Sequence, residues 1–200
     1  MQWVATGYSA AAAALEWAQV GPQDLFVELG CGDGRVALEA AKRGARAVCV
    51  ERDPEMAAEA RGRMDADAAG TLVEVLTLDL FEVNLTHATV VFLFLLPEIN
   101  AKLQPVLSRA PALRLVLSHK FEIYGWPCGQ RLRVHDDLFL RWDMPNAVHG
   151  DNTAQPSQVG NAWHDDRQTG LGAADMPSII DHGLECAVEE DAVRNGWAPR

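Results

Sequence analysis

Five consecutive residues, Gly30-Cys31-Gly32-Asp33-Gly34, constrain this 200-residue chain more than any others. They follow the apolar run Leu25-Phe26-Val27 and precede a run with helical spacing, Val36, Ala37, Ala40 and Ala41. Glycines at alternate positions let a backbone reverse sharply and approach a ligand closely. A strand, a glycine turn and a helix, in that order, open a doubly wound α/β sheet. The chain can fill such a fold, because 48% of its residues are hydrophobic. Its length favours a single domain with room for an appendage.

The alternation continues downstream. Helices are expected over 7–18, 35–43, 54–66 and 97–107, and strands over 24–29, 45–51, 72–78, 88–94 and 113–118. Residues 130–134 and 138–144 fit a closing hairpin. Continuous apolar strands between helices predict a parallel sheet covered on both faces. Ligands of such sheets bind beyond the carboxyl ends of the strands. The text changes character after Pro145. Residues 1–145 hold 19 acidic and 14 basic side chains and residues 146–200 hold 9 and 3, leaving −5 and −6. We therefore expect one domain over 1–145 and an acidic, largely disordered extension over 146–200. A short helix fits Ser178 to Arg194, with Pro177 before it and Gly196 after it.

Several function classes fall away. No run of 18 apolar residues occurs, so no membrane-spanning helix is expected. The alanine-rich stretch from Ala10 to Leu15 lacks a preceding basic residue and is interrupted by Glu16, so it reads as a helix rather than a leader. Cys31, Cys49, Cys128 and Cys186 form no CxxC pair. Neither a metal site nor a disulfide framework is expected from them, and Cys31 and Cys49 read as packing. That pattern suits a reducing cytoplasm. A net charge of −11 argues against gripping a nucleic-acid backbone. An acidic surface either attracts cationic partners, such as lysine-bearing proteins, or serves solubility alone.

The spacing of the turn narrows its ligand. A dinucleotide fingerprint, GxGxxG, would place its third glycine at position 35, which is Arg35. The pattern is instead Glu-x-Gly-x-Gly-x-Gly, from Glu28 to Gly34. S-adenosylmethionine has no pyrophosphate to cradle; it carries a sulfonium and an amino-acid end, whose ammonium suits Glu28. Glu51 ends the second strand, where a carboxylate can accept both ribose hydroxyls. Asp79 ends the third, placed to accept the adenine amino group, with Leu80 and Phe81 flanking the ring. Structural alternatives exist, a solvated loop acid at 51 and a turn cap at 79. The candidate cofactor residues are therefore Glu28, Gly30, Gly32, Asp33, Gly34, Glu51, Arg52, Asp79 and Leu80.

Residues 24–82 resemble the cofactor-binding half of class I S-adenosylmethionine-dependent methyltransferases. Two later stretches, Phe92 to Asn100 and Ser118-His119-Lys120-Phe121-Glu122-Ile123-Tyr124-Gly125-Trp126, narrow the resemblance. They are similar to small prokaryotic methyltransferases related to archaeal broad-specificity protein-lysine methyltransferases and to mitochondrial lysine methyltransferases acting on an ATP synthase subunit. Val4-Ala5-Thr6 resembles that family's Val-Pro-Thr segment, with Ala5 in place of proline. The covering segment before it is expected to be short, and the tail after Pro145 has no counterpart there. The resemblance, covering roughly residues 3–145, implies a Rossmann-like fold with a mostly parallel sheet and a C-terminal antiparallel hairpin. It also implies S-adenosylmethionine as cofactor and a protein lysine as acceptor.

Two other readings remain open, a small-molecule methyltransferase and a cofactor- or partner-binding module without turnover. The first normally needs extra lid helices, for which this chain leaves little room. A nucleic-acid amino-methyltransferase would carry Asn/Asp-Pro-Pro-Tyr/Phe where this chain has Leu95-Leu96-Pro97-Glu98. Groups near the transferred methyl should come from Leu96, Pro97, Glu98, His119, Phe121 and Glu122. His119 reads as a base or as a histidine that orients a loop. Phe121 and Trp126 read as walls of a lysine channel or as core aromatics. No residue is assigned a catalytic role.

Overall fold

The structure, a computed structural model, describes residues 5–144. Helix α1 spans Tyr8–Trp17, α2 Arg35–Lys42, α3 Pro54–Asp65 and α4 Pro97–Arg109. The strands are β1 Leu25–Leu29, β2 Arg46–Glu51, β3 Val73–Thr77, β4 Val90–Leu93, β5 Leu115–His119, β6 Gln130–Val134 and β7 Asp137–Asp143. They form one sheet in the order β3-β2-β1-β4-β5-β7-β6. The first five run parallel to one another, while β7 is antiparallel to β5 and to β6. This is the mostly parallel sheet with a closing hairpin that the sequence predicts. The expected extension over 146–200, its helix, and Trp3 and Val4 lie outside the described residues.

Both faces of the sheet are covered, which is why its central strands are apolar almost throughout. Every residue of β1, β4 and β5 is buried. Side chains alternate across a strand, so successive residues feed opposite cores. Phe26, Cys49, Phe92 and Leu117 join Ala11, Ala14, Leu15 and Ala37 from α1 and α2 on one side. Val27, Val48, Val91 and Val116 join Leu103 and Leu107 of α4 on the other. A fully buried side chain of this kind contributes roughly 1.5–3 kcal/mol. Helix α4 continues through Pro105 to Arg109, slightly further than its sequence pattern suggests.

The register aligns the strand ends that matter. Leu29, at the end of β1, lies beside Val50 of β2 and Leu93 of β4. Glu51 lies beside Thr77, so Asp79 emerges next to it. At the opposite ends of the central strands, buried Asp24 is held by Arg114 and Thr89. That network fixes the amino ends of β1, β4 and β5.

One expectation is overturned. Cys31 and Cys49 are not merely packed; they form a disulfide, with Cα atoms 5.4 Å apart. The cause is local backbone geometry. After Leu29 the chain turns toward β2, where Gly30 and Cys31 both donate N–H bonds to the Val50 carbonyl. Cys31 is thereby folded over Cys49. The structure also adds two 3-10 turns, over Ala68–Leu72 and Leu80–Glu82, capped by the Asp67 and Asp79 side chains. Among the described residues no helix is long and apolar enough to cross a membrane, and no group of acidic, histidine and cysteine side chains could hold a metal ion.

Candidate cofactor and acceptor site

The glycine turn requires its glycines. Gly30, Gly32 and Gly34 all have positive φ, at 74°, 54° and 74°. A Cβ on Gly30 would lie 2.8 Å from Leu95 Cδ2, and one on Gly34 would lie 2.6 Å from Met64 Cε. The turn delivers the chain into α2, whose cap residue, Gly34, has no side chain to satisfy the first N–H groups. Asp33 and Glu28 accept from the Arg35 and Ala37 N–H groups instead. The positive end of the helix thus meets acidic side chains above the sheet.

Glu28 reaches that space from β1. Its Oε2 accepts the Ala37 N–H at 2.9 Å. Burial pushes its carboxyl well above the usual range, and Asp33 and Glu51 push the same way; the Ala37 N–H and Arg35 oppose them and do not prevail. A cation beside Glu28 would relieve that cost. Asp33 has the opposite balance. Burial raises its carboxyl, but the hydrogen bonds and charge of Arg35, with the charge of Arg63, hold it below the usual range. Arg35 and Arg63 each approach its Oδ2 to 2.6 Å. Arg63 also donates to the Tyr8 hydroxyl, and the Arg35 guanidinium lies over the Tyr8 ring. The Asp33 carboxylate thus fastens the turn to α3 through Arg63, and the two arginines carry the connection on to Tyr8 of α1.

Glu51 accepts the Gly32 N–H at 3.0 Å through Oε2 and the Asp53 N–H at 2.8 Å through Oε1. It therefore links the end of β2 to the turn, with exposed Arg52 beside it. Asp79 accepts the Phe81 N–H at 3.0 Å and caps the short turn that carries Leu80. The turn-cap alternative is thus realised at Asp79, whereas Glu51 is no solvated loop acid but holds two backbone N–H groups; each carboxylate still has acceptor capacity to spare.

A cavity of about 530 Å³ opens between the turn and the ends of β4 and β5. Glu28, Gly30, Asp33, Leu96 and Phe121 line it, as do Thr6, Phe94 and Lys120, which the sequence does not single out as site residues. Pro97 begins α4 immediately after Leu96, and Glu98 is on that helix's first turn. Glu122 faces away to pair with Arg131. Trp126 does not wall this cavity; it meets Trp142 edge-on at 5.7 Å and lines a separate hollow with Leu113 and Pro127. A larger hollow, of about 680 Å³, runs along α3 and β3 at the sheet edge, away from the glycine turn.

His119 is buried, and both of its ring nitrogens are engaged. Nδ1 lies 2.9 Å from Thr6 Oγ1, and Nε2 lies 2.8 Å from Asp137 Oδ1. Phe94 and Phe139 clamp the ring, with centroids 4.0 and 4.6 Å away. Burial lowers its basicity, with Lys120 acting the same way, against the bond and charge of Asp137. Thr6 and Asp137 stand 113 and 18 positions from His119, and no sequence pattern links them.

Residues 28–130 match the family described as the ANTKMT methyltransferase domain. A protein-lysine N-methyltransferase from Saccharolobus islandicus is 38% identical over 126 residues, covering 61% of this chain and 78% of that protein. A carboxy-S-adenosyl-L-methionine synthase from Erwinia tasmaniensis is 32% identical over 123 residues, 56% of this chain; the chain spans 50% of that protein's length. Among solved structures, an RNA methyltransferase from Salinibacter ruber, in complex with S-adenosyl-L-homocysteine, superimposes with a TM-score of 0.67 at 35% identity. That match covers 76% of this chain and all of the other.

Proposed function

This chain belongs to the ANTKMT methyltransferase-domain family and is an S-adenosylmethionine-dependent methyltransferase, and from that premise we propose that it methylates the side-chain amine of a protein lysine. The observation that carries the acceptor is aromatic. Phe94 and Phe121 line the cavity beside the glycine turn, and the Lys120 ammonium lies 5.4 Å from the Phe94 ring centroid. An aromatic face in a partly desolvated cavity holds an ammonium or amine by cation–π attraction. The Saccharolobus protein, named for a lysine acceptor, supports the same choice.

The residues present fit the cofactor. Glu28 is a buried carboxyl that a cation would relieve, so we assign it the ammonium of the amino-acid end. Gly30, Gly32 and Gly34 let the backbone come close to that end, and we assign the Asp33 N–H to its carboxylate. The free lone pairs of Glu51 suit the ribose hydroxyls, those of Asp79 suit the adenine amino group, and Arg52 and Leu80 border them. When bound, S-adenosylmethionine supplies a methyl on a sulfonium, ready for in-line displacement. The chain's own contribution is alignment and exclusion of water. Leu96 and Phe121 enclose the acceptor, and the clamped His119 ring fixes the wall beside them.

RNA is the competing acceptor, because the Salinibacter protein is described as an RNA methyltransferase. Charge favours lysine: a chain of net −11 repels phosphates and attracts lysine-bearing surfaces. The test is partition of label. With methyl-labelled cofactor and a cell extract, we expect counts in the protease-sensitive fraction. Counts confined to RNA or to small molecules would refute the lysine acceptor.

A further inference from the structure

The mechanism leaves Thr6 without a task, yet its hydroxyl is held in place beside the acceptor cavity by His119. It is buried, lines the cavity, and stands 2.9 Å from His119 Nδ1. The far side of the ring fixes which atom carries the proton. An ionised Asp137 carboxylate can only accept, so His119 Nε2 must donate to it. Burial favours the neutral ring, which carries one N–H, so Nδ1 is left as an acceptor. The Thr6 hydroxyl must therefore donate to Nδ1. Its single proton is then used, and its oxygen keeps only lone pairs for the cavity.

We propose that Thr6 Oγ1 accepts an N–H from the incoming lysine amine and so aims the nitrogen lone pair at the methyl group, with His119 and Asp137 as positioning residues that hold Thr6 in its accepting orientation. This rests on the lysine-amine acceptor proposed above. A neutral primary amine has two N–H bonds and one lone pair. Anchoring one N–H removes free rotation about the terminal C–N bond, and alignment of this kind is what methyl transfer needs from the protein.

The arrangement makes a distinction that a purely structural Thr6 would not. Unmethylated lysine and monomethyl-lysine each have an N–H to offer. Neutral dimethyl-lysine has none, so its methylation cannot use Thr6. Removing the hydroxyl should slow the first two transfers and leave the third unaffected.

The test compares wild type, Thr6→Val and Thr6→Ser on poly-L-lysine and on its reductively dimethylated form. We expect Thr6→Val to lower kcat/KM on poly-L-lysine by about tenfold, the size of one lost hydrogen bond, and to leave the rate on the dimethylated polymer unchanged. Thr6→Ser, which keeps the hydroxyl, should restore the rate on poly-L-lysine. Equal losses on both polymers, or no loss on either, would overturn the proposal. Absence of transfer by wild type to either polymer would instead count against the lysine acceptor. The 15N spectrum of the His119 ring tests the geometry whatever the activity. A protonated Nε2 with an unprotonated Nδ1 supports it, and a protonated Nδ1 at neutral pH overturns it.

Discussion

The Cys31 sulfur is bonded to that of Cys49 across 18 positions of sequence, so the glycine turn is covalently fastened to the strand beside it. Closing a loop of that length removes chain entropy from the unfolded state and is worth about 3 kcal/mol. We expect the double variant Cys31→Ala/Cys49→Ala to unfold at a lower denaturant midpoint, with a stability loss of about that size. Because the bond lies within the turn, cofactor affinity measured by calorimetry should fall as well. An unchanged midpoint would show that the bond is not formed in solution.

Gly34→Ala tests the turn itself. Its φ of 74° disfavours any side chain, and the new methyl would overlap Met64 and crowd Ala60 and Cys49. The left-handed conformation alone costs about 1–2 kcal/mol, and the overlap adds to it. A clear drop in melting temperature should accompany weaker cofactor binding. Wild-type behaviour in both assays would sink the assignment of a rigid turn.

Much of this arrangement is legible in the sequence, for a physical reason. The central strands are buried on both faces, so they read as nearly unbroken apolar runs, and the glycines mark the place where the backbone must reverse. What stays hidden is pairing between distant side chains. Asp33 looks like a ligand contact, but Arg63, 30 positions away, takes its carboxylate with Arg35. His119 looks like a free base until Thr6 and Asp137 are found on its two nitrogens. Trp126 looks like a channel wall, but the hairpin presents Trp142 to it instead. Cys31 and Cys49 look like packing because nothing in their spacing reveals how the turn folds back.

Glu28 gives a pH signature. Its carboxyl is raised in the folded state, so the native protein holds that proton to higher pH than the unfolded chain does. Stability from this group is present at low pH and is lost as pH rises through its folded-state value. We expect Glu28→Gln to gain stability relative to the cofactor-free wild type as pH increases. Saturating cofactor, whose ammonium would pair with the carboxylate, should reverse the ranking. Parallel pH profiles for the two proteins would remove Glu28 from the site.

The division near Pro145 is tested by truncation. We propose that residues 1–145 carry the methyltransferase domain and that 146–200 are an extension of it. A chain ending at residue 145 should bind the cofactor within about twofold of the full chain. Every proposed cofactor contact lies well before that point, the last being Leu80. Insoluble or non-binding protein would mean that the extension completes the core.

The acceptor is decided by the chemical identity of the labelled product. Protein methylated with labelled cofactor should release Nε-methyl-lysine on complete acid hydrolysis, and the label should disappear when the substrate's lysine amines are blocked beforehand. Label recovered on another amino acid, or persisting after the amines are blocked, would contradict a lysine methyltransferase.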